Sequence, residues 1–291
     1  MRIPGLRGLS PFELAWESAK EFDRDDMVTH ACAIAYEVLF SIFPFILFFA
    51  ALLGFLELSS FFGWLNTRAQ ILLPQEALHP VNAVIDELHQ KNGGLLSFGM
   101  IMTLWAASLA MRATMNALNV AYGVTEGRPI WIRFPLSIFY TIGIAAMLIA
   151  AGILLVVGPQ AMQWVAHRMG LEQLFVILWE WLRWPVALLL MTLAIGVIYY
   201  VAPDAEQEFR FITPGATLTV IAWLAASWGF NYYIRNFGDY GAIYGSIGAA
   251  IVLLMYFFIS ASILLFGAEL NVVIEHHSNE RKNPGVYGVP H

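Results

Sequence analysis

Charge is scarce in this chain of 291 residues: Asp, Glu, Lys and Arg make up 12% of it, about half the roughly 25% of an ordinary soluble domain. That shortage excludes a soluble globular domain and a disordered chain, both of which keep charge in contact with water. Cysteine occurs once, as Cys32. A lone cysteine excludes an internal disulfide and a multi-cysteine metal site, and at the start of an apolar run it reads as a small buried hydrophobe. The net charge is −6, with no block of like charges and no basic stripe, so no nucleic-acid partner is expected. There is no HExxH, no P-loop and no G-x-S-x-G, so neither enzymatic activity nor a cofactor is expected.

What the chain does contain is apolar: 59% of its residues, with a mean hydropathy of +0.67. These residues come in long runs, and about 20 in succession suffice to cross the hydrocarbon of a bilayer as a helix. Six runs qualify, at roughly 33–57, 95–114, 134–158, 181–202, 213–234 and 245–272. They are too continuous for the alternating strands of a membrane barrel. The expected fold class is therefore all-α, a polytopic membrane protein forming one membrane domain over 1–291. A cytoplasmic amphipathic helix is expected within 1–30, a six-span bundle over 33–272, and a cytoplasmic tail at 273–291.

Basic residues in loops set orientation. One side holds ten: Arg2, Arg7, Lys20, Arg24, Arg112, Arg128, Arg133, Arg210, Arg281 and Lys282. The other holds five: Arg68, Lys91, Arg168, Arg183 and Arg235. This bias places both termini in the cytoplasm. No cleavable signal peptide is expected, because Arg2 and Arg7 lead into Ser10-Pro11-Phe12-Glu13, which reads as a capping box with proline in the first turn. Phe12, Ala15, Trp16 and Ala19 then recur at helical spacing opposite Glu13, Glu17, Lys20 and Glu21. This pattern predicts a helix over 11–24 docked on the membrane or on the bundle. Leu78, Val81, Val84, Ile85 and Leu88 predict an external helix within 59–94, and 160–178 reads as a second interfacial segment. Asp86, Glu87 and His89 fall on the wet face of the first, and Asp204, Glu206 and Glu208 read as a solvated turn.

An ionisable residue inside a span is costly and marks function by default. Glu37, Arg112 and Glu269 are three such residues, at similar depth near one face of the membrane. His30, Glu37 and Ser41 share one face of the first span, next to Pro44, which marks a kink. Arg112, Asn116 and Asn119 share a face of the second. Turning these faces inward pairs Arg112 with Glu37 or Glu269 and makes a polar cluster that is either structural or substrate-binding. Gly241, Gly245 and Gly248 punctuate the start of the sixth span, for close packing or for gating.

Several segments resemble the YihY/BrkB family of bacterial inner-membrane proteins. They are Ala35-Tyr36 with Ser41-Ile42-Phe43-Pro44, Asn116 to Val124 with Glu126 and Arg128, Pro203, Pro214-Gly215-Ala216 and Trp223. Phe237, Tyr240, Tyr244-Gly245-Ser246 and Gly267-Ala268-Glu269-Leu270-Asn271 complete the set. The resemblance covers about residues 30–272 and implies a six-helix inner-membrane bundle. Arg112, Asn119 and Glu269 fall in the matching motifs, whereas Glu37 stands where relatives are expected to carry tyrosine or a small polar residue. The family once bore the label ribonuclease BN. This chain argues against it, having no basic substrate surface and no histidine–aspartate cluster. The expected function is a transporter or lipid translocase with a polar cavity in the cytoplasmic half, whose partners are membrane lipids, with an anionic lipid or small solute as substrate. A homo-oligomer is compatible with this, and a non-transporting scaffold is the alternative.

Overall fold

The computed structural model describes residues 10–55, 93–156, 172–205, 213–237 and 240–282. They are helical, with no strand among them: α1 (Pro11–Arg24), α2 (Met27–Phe55), α3 (Gly93–Ala121), α4 (Ile130–Val156), α5 (Glu172–Val201), α6 (Pro214–Phe237) and α7 (Tyr240–Lys282). The sequence signals account for several boundaries. Ser10 caps α1 as expected: Glu13 N–H donates to Ser10 Oγ at 3.2 Å, and Ser10 N–H donates to Glu13 Oε2 at 2.9 Å. Asp26, at φ 50°, turns the chain from α1 into α2. Pro44, Pro135 and Pro185 sit inside helices, as apolar spans tolerate.

Five helices among the described residues are long and apolar enough to cross a membrane, over Met27–Phe49, Leu96–Ala121, Ile130–Leu155, Trp181–Val201 and Ala250–His277. The remaining expected span, 213–234, is the helix α6, but Thr217, Thr219, Ser227 and Asn231 reduce its apolarity. The six-span count is therefore approximate. Outward faces carry large apolar groups, with Phe43, Phe139, Ile149 and Trp228 all well exposed. Many of the buried residues are small, such as Ala31, Ala35, Ala117, Ala194, Ala261 and Ala268, packed among Met27, Met115, Leu118 and Leu265. Large outside and small inside is the arrangement lipid favours, because tails solvate the outer face and backbones approach on the inner one. It also corrects the reading of Cys32, which is exposed: an apolar side chain on a span gains nothing by burial when lipid surrounds it.

Residues 172–178 form the opening turns of α5, so they are not a separate interfacial element. No helix breaker lies between Glu172 and Trp184. The rest of 160–178, and the external segment 59–94 except Gly93 and Gly94, lie outside the described residues.

The chain divides into two compact units, residues 37–110, and residues 1–36 with 111–291. In the smaller, α2 and α3 meet at Gly99, where a Cβ would stand 2.9 Å from Phe48 Cα. Pro44 lines an apolar cleft of about 260 Å³ there, with Phe40, Phe43, Leu47, Phe98 and Met102. In the larger, α4 packs on α5, α5 on α6, and α6 on α7, while α1 lies along α7.

Helix α7 serves two neighbours with two faces. Toward α6 it presents Tyr256, Ser260, Gly267 and Asn271: Trp223 Nε1 donates to Ser260 Oγ at 3.1 Å, and Ser227 and Tyr256 share a hydrogen bond of 3.0 Å. Gly215 and Gly267 let the two backbones touch, and a Cβ on either would overlap the other helix. Toward α1 it presents Phe266, Leu270, Val273 and Ile274, which receive Phe22 and Leu14. The bundle-facing side of α1 is thus Leu14, Ser18 and Phe22, while the stripe that the periodicity singles out is turned outward, Phe12 being 80% and Trp16 59% exposed.

Candidate functional site

The polar residues of the larger unit gather at one end, where α3 and α5 finish and α4 and α6 begin. The end of α3 is shaped by a Schellman turn: Gly123, at φ 63°, donates to Val120 O at 2.9 Å, and Val124 donates to Asn119 O at 2.9 Å. Glycine adopts this left-handed conformation without Cβ strain. The turn folds the chain back so that Glu126 and Arg128 stand beside Asn119.

Asn119, buried at 4% exposure, then holds both sides of the site. Its Nδ2 donates to Glu126 Oε2 at 3.0 Å, and its Oδ1 accepts Asp204 N–H at 2.7 Å. Asp204 Oδ2 accepts Gly127 N–H at 2.9 Å. Arg128 grips Glu126 in two-pronged fashion, at 2.6 and 2.9 Å, and also donates to Ala202 O at 2.9 Å. Its Nε stands 3.7 Å from Asp204 Oδ1. Planar bidentate pairing of this kind is the strong form of a charge-assisted hydrogen bond. Burial works against the Glu126 charge, but Arg128, with Arg133 behind it, outweighs burial and holds the carboxyl below its ordinary range. The bond to Glu126 likewise holds Arg128 firmly protonated, above its usual value. Beside them, burial pushes the Tyr122 phenol up.

Arg133, at the start of α4, reaches back to α3, donating to Arg112 O at 3.2 Å and to Asn116 Oδ1. Its Nε lies 3.2 Å from Glu126 Oε2, close enough for an ion pair although the N–H is not aimed along that line. Arg112 itself donates to Ser137 Oγ at 3.1 Å and lies 4.9 Å from the centre of the Phe134 ring, both on α4. The shared face of Arg112, Asn116 and Asn119 therefore meets α4 and the loop before it.

Glu269 is 0% exposed on α7, and neither of its oxygens accepts a hydrogen bond, from Arg112 or from any other described residue. His30 is half-buried near the start of α2. Glu37 is half-buried in the smaller unit, as is Ser41, whose hydroxyl donates to Val38 O at 2.7 Å within its own helix. Gly241 and Gly245 lie in the opening turns of α7, and Gly248 is buried. Asp86, Glu87, His89, Glu206 and Glu208 lie outside the described residues.

Sequence reasoning missed several of these partners. Asp204 is exposed in its turn, as expected, but it also ties the network together, accepting Gly127 N–H, donating its own N–H to Asn119 and standing within ion-pair distance of Arg128. Arg133 was visible only as a loop charge. Asn271 escaped notice as a partner although it accepts Gly215 N–H at 2.8 Å and donates to Thr213 Oγ1 at 3.0 Å. Tyr199, fully buried, donates to Leu264 O at 2.6 Å and shares a 2.8 Å bond with Thr219. The available signal was a polar side chain inside an apolar run, which needs a partner when buried. No group of three His, Cys, Asp or Glu residues placed to hold a metal occurs among the described residues.

The family model described as "Virulence factor BrkB" matches residues 18–286. The YfkH protein of Bacillus subtilis (strain 168), whose name calls it ribonuclease-like, is 36% identical over 244 residues, covering 83% of this chain and 87% of its own length. A UPF0761 membrane protein of Xanthomonas campestris pv. campestris (strain B100) is 26% identical over 259 residues, 86% of this chain, which spans only 58% of that relative. No solved structure matches. With that match and the five apolar helices, the chain belongs to the BrkB family of multi-pass membrane proteins.

Proposed function

We propose that this protein is a transporter or lipid translocase of the bacterial inner membrane, with both termini in the cytoplasm. The observation that carries the reading is the polar cluster at one end of an otherwise apolar bundle. Three guanidiniums, Arg112, Arg128 and Arg133, stand there against two carboxylates, Glu126 and Asp204. Arg112 stands in this cluster beside the Ser137 hydroxyl and the Phe134 ring. A guanidinium so flanked suits a phosphate or carboxylate, which it binds through paired N–H donors. A lipid substrate is favoured over a wholly polar one by the cleft of about 240 Å³ between α6 and α7. It is lined by Leu218, Ala222, Ile263 and Phe266, with Phe22 at its edge, chemistry that accommodates an acyl chain. Neither this cleft nor the one beside Pro44 is lined by Arg112, Glu37 or Glu269. Headgroup and chain would therefore engage different parts of the molecule. No catalytic step belongs to this reading.

Purified protein in liposomes, screened with fluorescent anionic lipids and small anions, tests it, with Arg112→Ala as control. Translocation that falls at least tenfold in the variant is expected. Equal flux for both proteins removes the anion site, and no flux with any substrate removes the transport reading. A second reading, a non-transporting scaffold, draws on the outward Phe12 and Trp16 of α1. It predicts a stable partner and no substrate-dependent rise in Tm.

A further inference from the structure

Glu269 lies where α1 crosses α7. Phe22 meets Phe266 with ring centres 6.1 Å apart, and Leu14 packs with Leu270, Val273 and Ile274. The two helices therefore run antiparallel, and Ser18, midway between Leu14 and Phe22, falls level with Glu269 and Leu270. Glu269 sits on this face because it is three residues beyond Phe266 and four before Val273. Both side chains are 0% exposed, and neither the Ser18 hydroxyl nor either Glu269 oxygen has a hydrogen-bond partner among the described residues.

The charged groups whose fields reach Glu269 are Asp25, Glu21 and Arg24, all at the end of α1. Arg24 is already bound by Glu21 and Asp25. Tyr122, at the end of α3, lies within electrostatic reach of Glu269 and of Glu275, which is further along α7. The part of α6 packed on this stretch of α7 carries no ionisable residue. As it stands Glu269 accepts no hydrogen bond from the described residues, and an ionised carboxylate here would also have two acidic neighbours, which is strongly disfavoured in a buried setting. A metal cation needs several oxygen ligands, and no group of three candidate ligands is present among the described residues. A carboxylic acid meets the same surroundings without net charge.

We propose that Glu269 is a proton-binding site: a carboxylic acid that keeps its proton while α1 seals the seam and releases it when α1 lifts. On release the O–H bond breaks, the electron pair stays on the carboxylate, and the proton passes to water, with Glu21 and Asp25 at the exit. The transport reading enters only in what the proton is for, namely as the coupling ion. The proton site itself stands on the seam.

Infrared spectra of the full chain in lipid nanodiscs at neutral pH test this. The wild type is expected to show the carbonyl band of a buried carboxylic acid, slow to shift in heavy water, and Glu269→Gln is expected to lose it. Absence of the band, a band that survives the substitution, or one abolished by sodium salt at constant pH overturns the proposal. Should Glu269→Gln fail to fold, labelling of the wild type with an apolar carbodiimide decides, since the reagent modifies protonated acids. An adduct mapped to Glu269 carries the proposal, and an unmodified Glu269 overturns it. The band without any flux in liposomes sinks the transport reading alone, and flux without the band sinks the proton site alone.

Discussion

The side-chain carbonyl of Asn119 accepts the backbone N–H of Asp204 at 2.7 Å, joining residues 85 apart in sequence. The same amide donates to Glu126. One buried asparagine thus fixes the turn after α3 against the turn after α5, and its two functional ends leave neither polar atom wasted. An amide suits this place because it is donor and acceptor at once without carrying charge.

Glu126→Gln tests how much the two-pronged pair contributes. The Glu126 and Arg128 side chains are 16% and 15% exposed, so loss of the carboxylate leaves a largely buried guanidinium poorly paired. We expect a loss of about 2–3 kcal/mol, read as a lower Tm in detergent or nanodiscs. Glu126→Gln with Arg128→Gln should cost less than the two single losses added together. The acid limb carries a sign. Because the folded carboxyl is held below its ordinary value of 4.5, its contribution is full above that pH. It fades as pH falls through the lower folded value. Wild-type Tm should drop there, and the drop should be shallower in Glu126→Gln.

Gly215→Ala and Gly267→Ala should each push α6 away from α7, since the added Cβ meets the Gly267 carbonyl in the first case and, in the second, the Thr219 and Tyr199 hydroxyls, which are held by their own buried hydrogen bond. The expected cost is about 2–3 kcal/mol or failure to assemble. Gly143→Ala and Gly152→Ala, on α4, meet nothing within 4 Å and are the controls. They should be neutral, or stabilising by about 0.5 kcal/mol from the better helix propensity of alanine. Equal Tm changes in the two sets would remove the close crossing as the cause.

Much of this architecture was legible because long apolar runs have few alternatives in lipid, where helices alone satisfy their backbones within a segment. The Ser10 capping box was legible for a similar reason, its bonds being local. The face of Arg112, Asn116 and Asn119 could be read from spacing, but its partner could not. Arg133 and Asp204 reach it through folded turns, and nothing in residue order states which turns meet. The direction of α1 was hidden by the same cause. Its outward stripe of Phe12 and Trp16 is as apolar as the Leu14 and Phe22 it turns to α7, so the periodicity shows a stripe without saying which neighbour takes it. Glycine posed the converse problem: Gly241, Gly245 and Gly248 share an apparent pattern, whereas Gly215 and Gly267 come from different helices and form one only in space.

Tyr199→Phe removes a single hydroxyl from a fully buried position. Thr219 Oγ1 and Leu264 O lose their shared partner at 2.8 and 2.6 Å, and the cost should be about 1–2 kcal/mol. Thr219→Val in the same background should then cost less than it does alone, because the hydroxyl it removes no longer has a partner to lose. Additive losses in Tm would show that the two groups act independently.

Leu14→Ala addresses the attachment of α1. Leu14 is 4% exposed and makes one cluster with Leu270, Val273 and Ile274, so truncation forfeits its burial and leaves space behind, about 2–3 kcal/mol. Because α1 lies on the outside of the larger unit, most of that loss should appear as local opening. Amide exchange should accelerate several-fold over residues 11–24, including the turns secured by Ser10, with little change in α4 and α5. Ser10→Ala should act on the same residues more weakly, by about 1 kcal/mol, since it frees the first turn while leaving the Leu14 and Phe22 contacts in place. Phe12→Ala should leave exchange in α1 nearly unchanged, its side chain being turned away from α7. Uniform acceleration throughout the larger unit in Leu14→Ala would instead make α1 an integral part of the core, and a seam that opens only with the whole bundle could not release a proton from Glu269 within a working cycle.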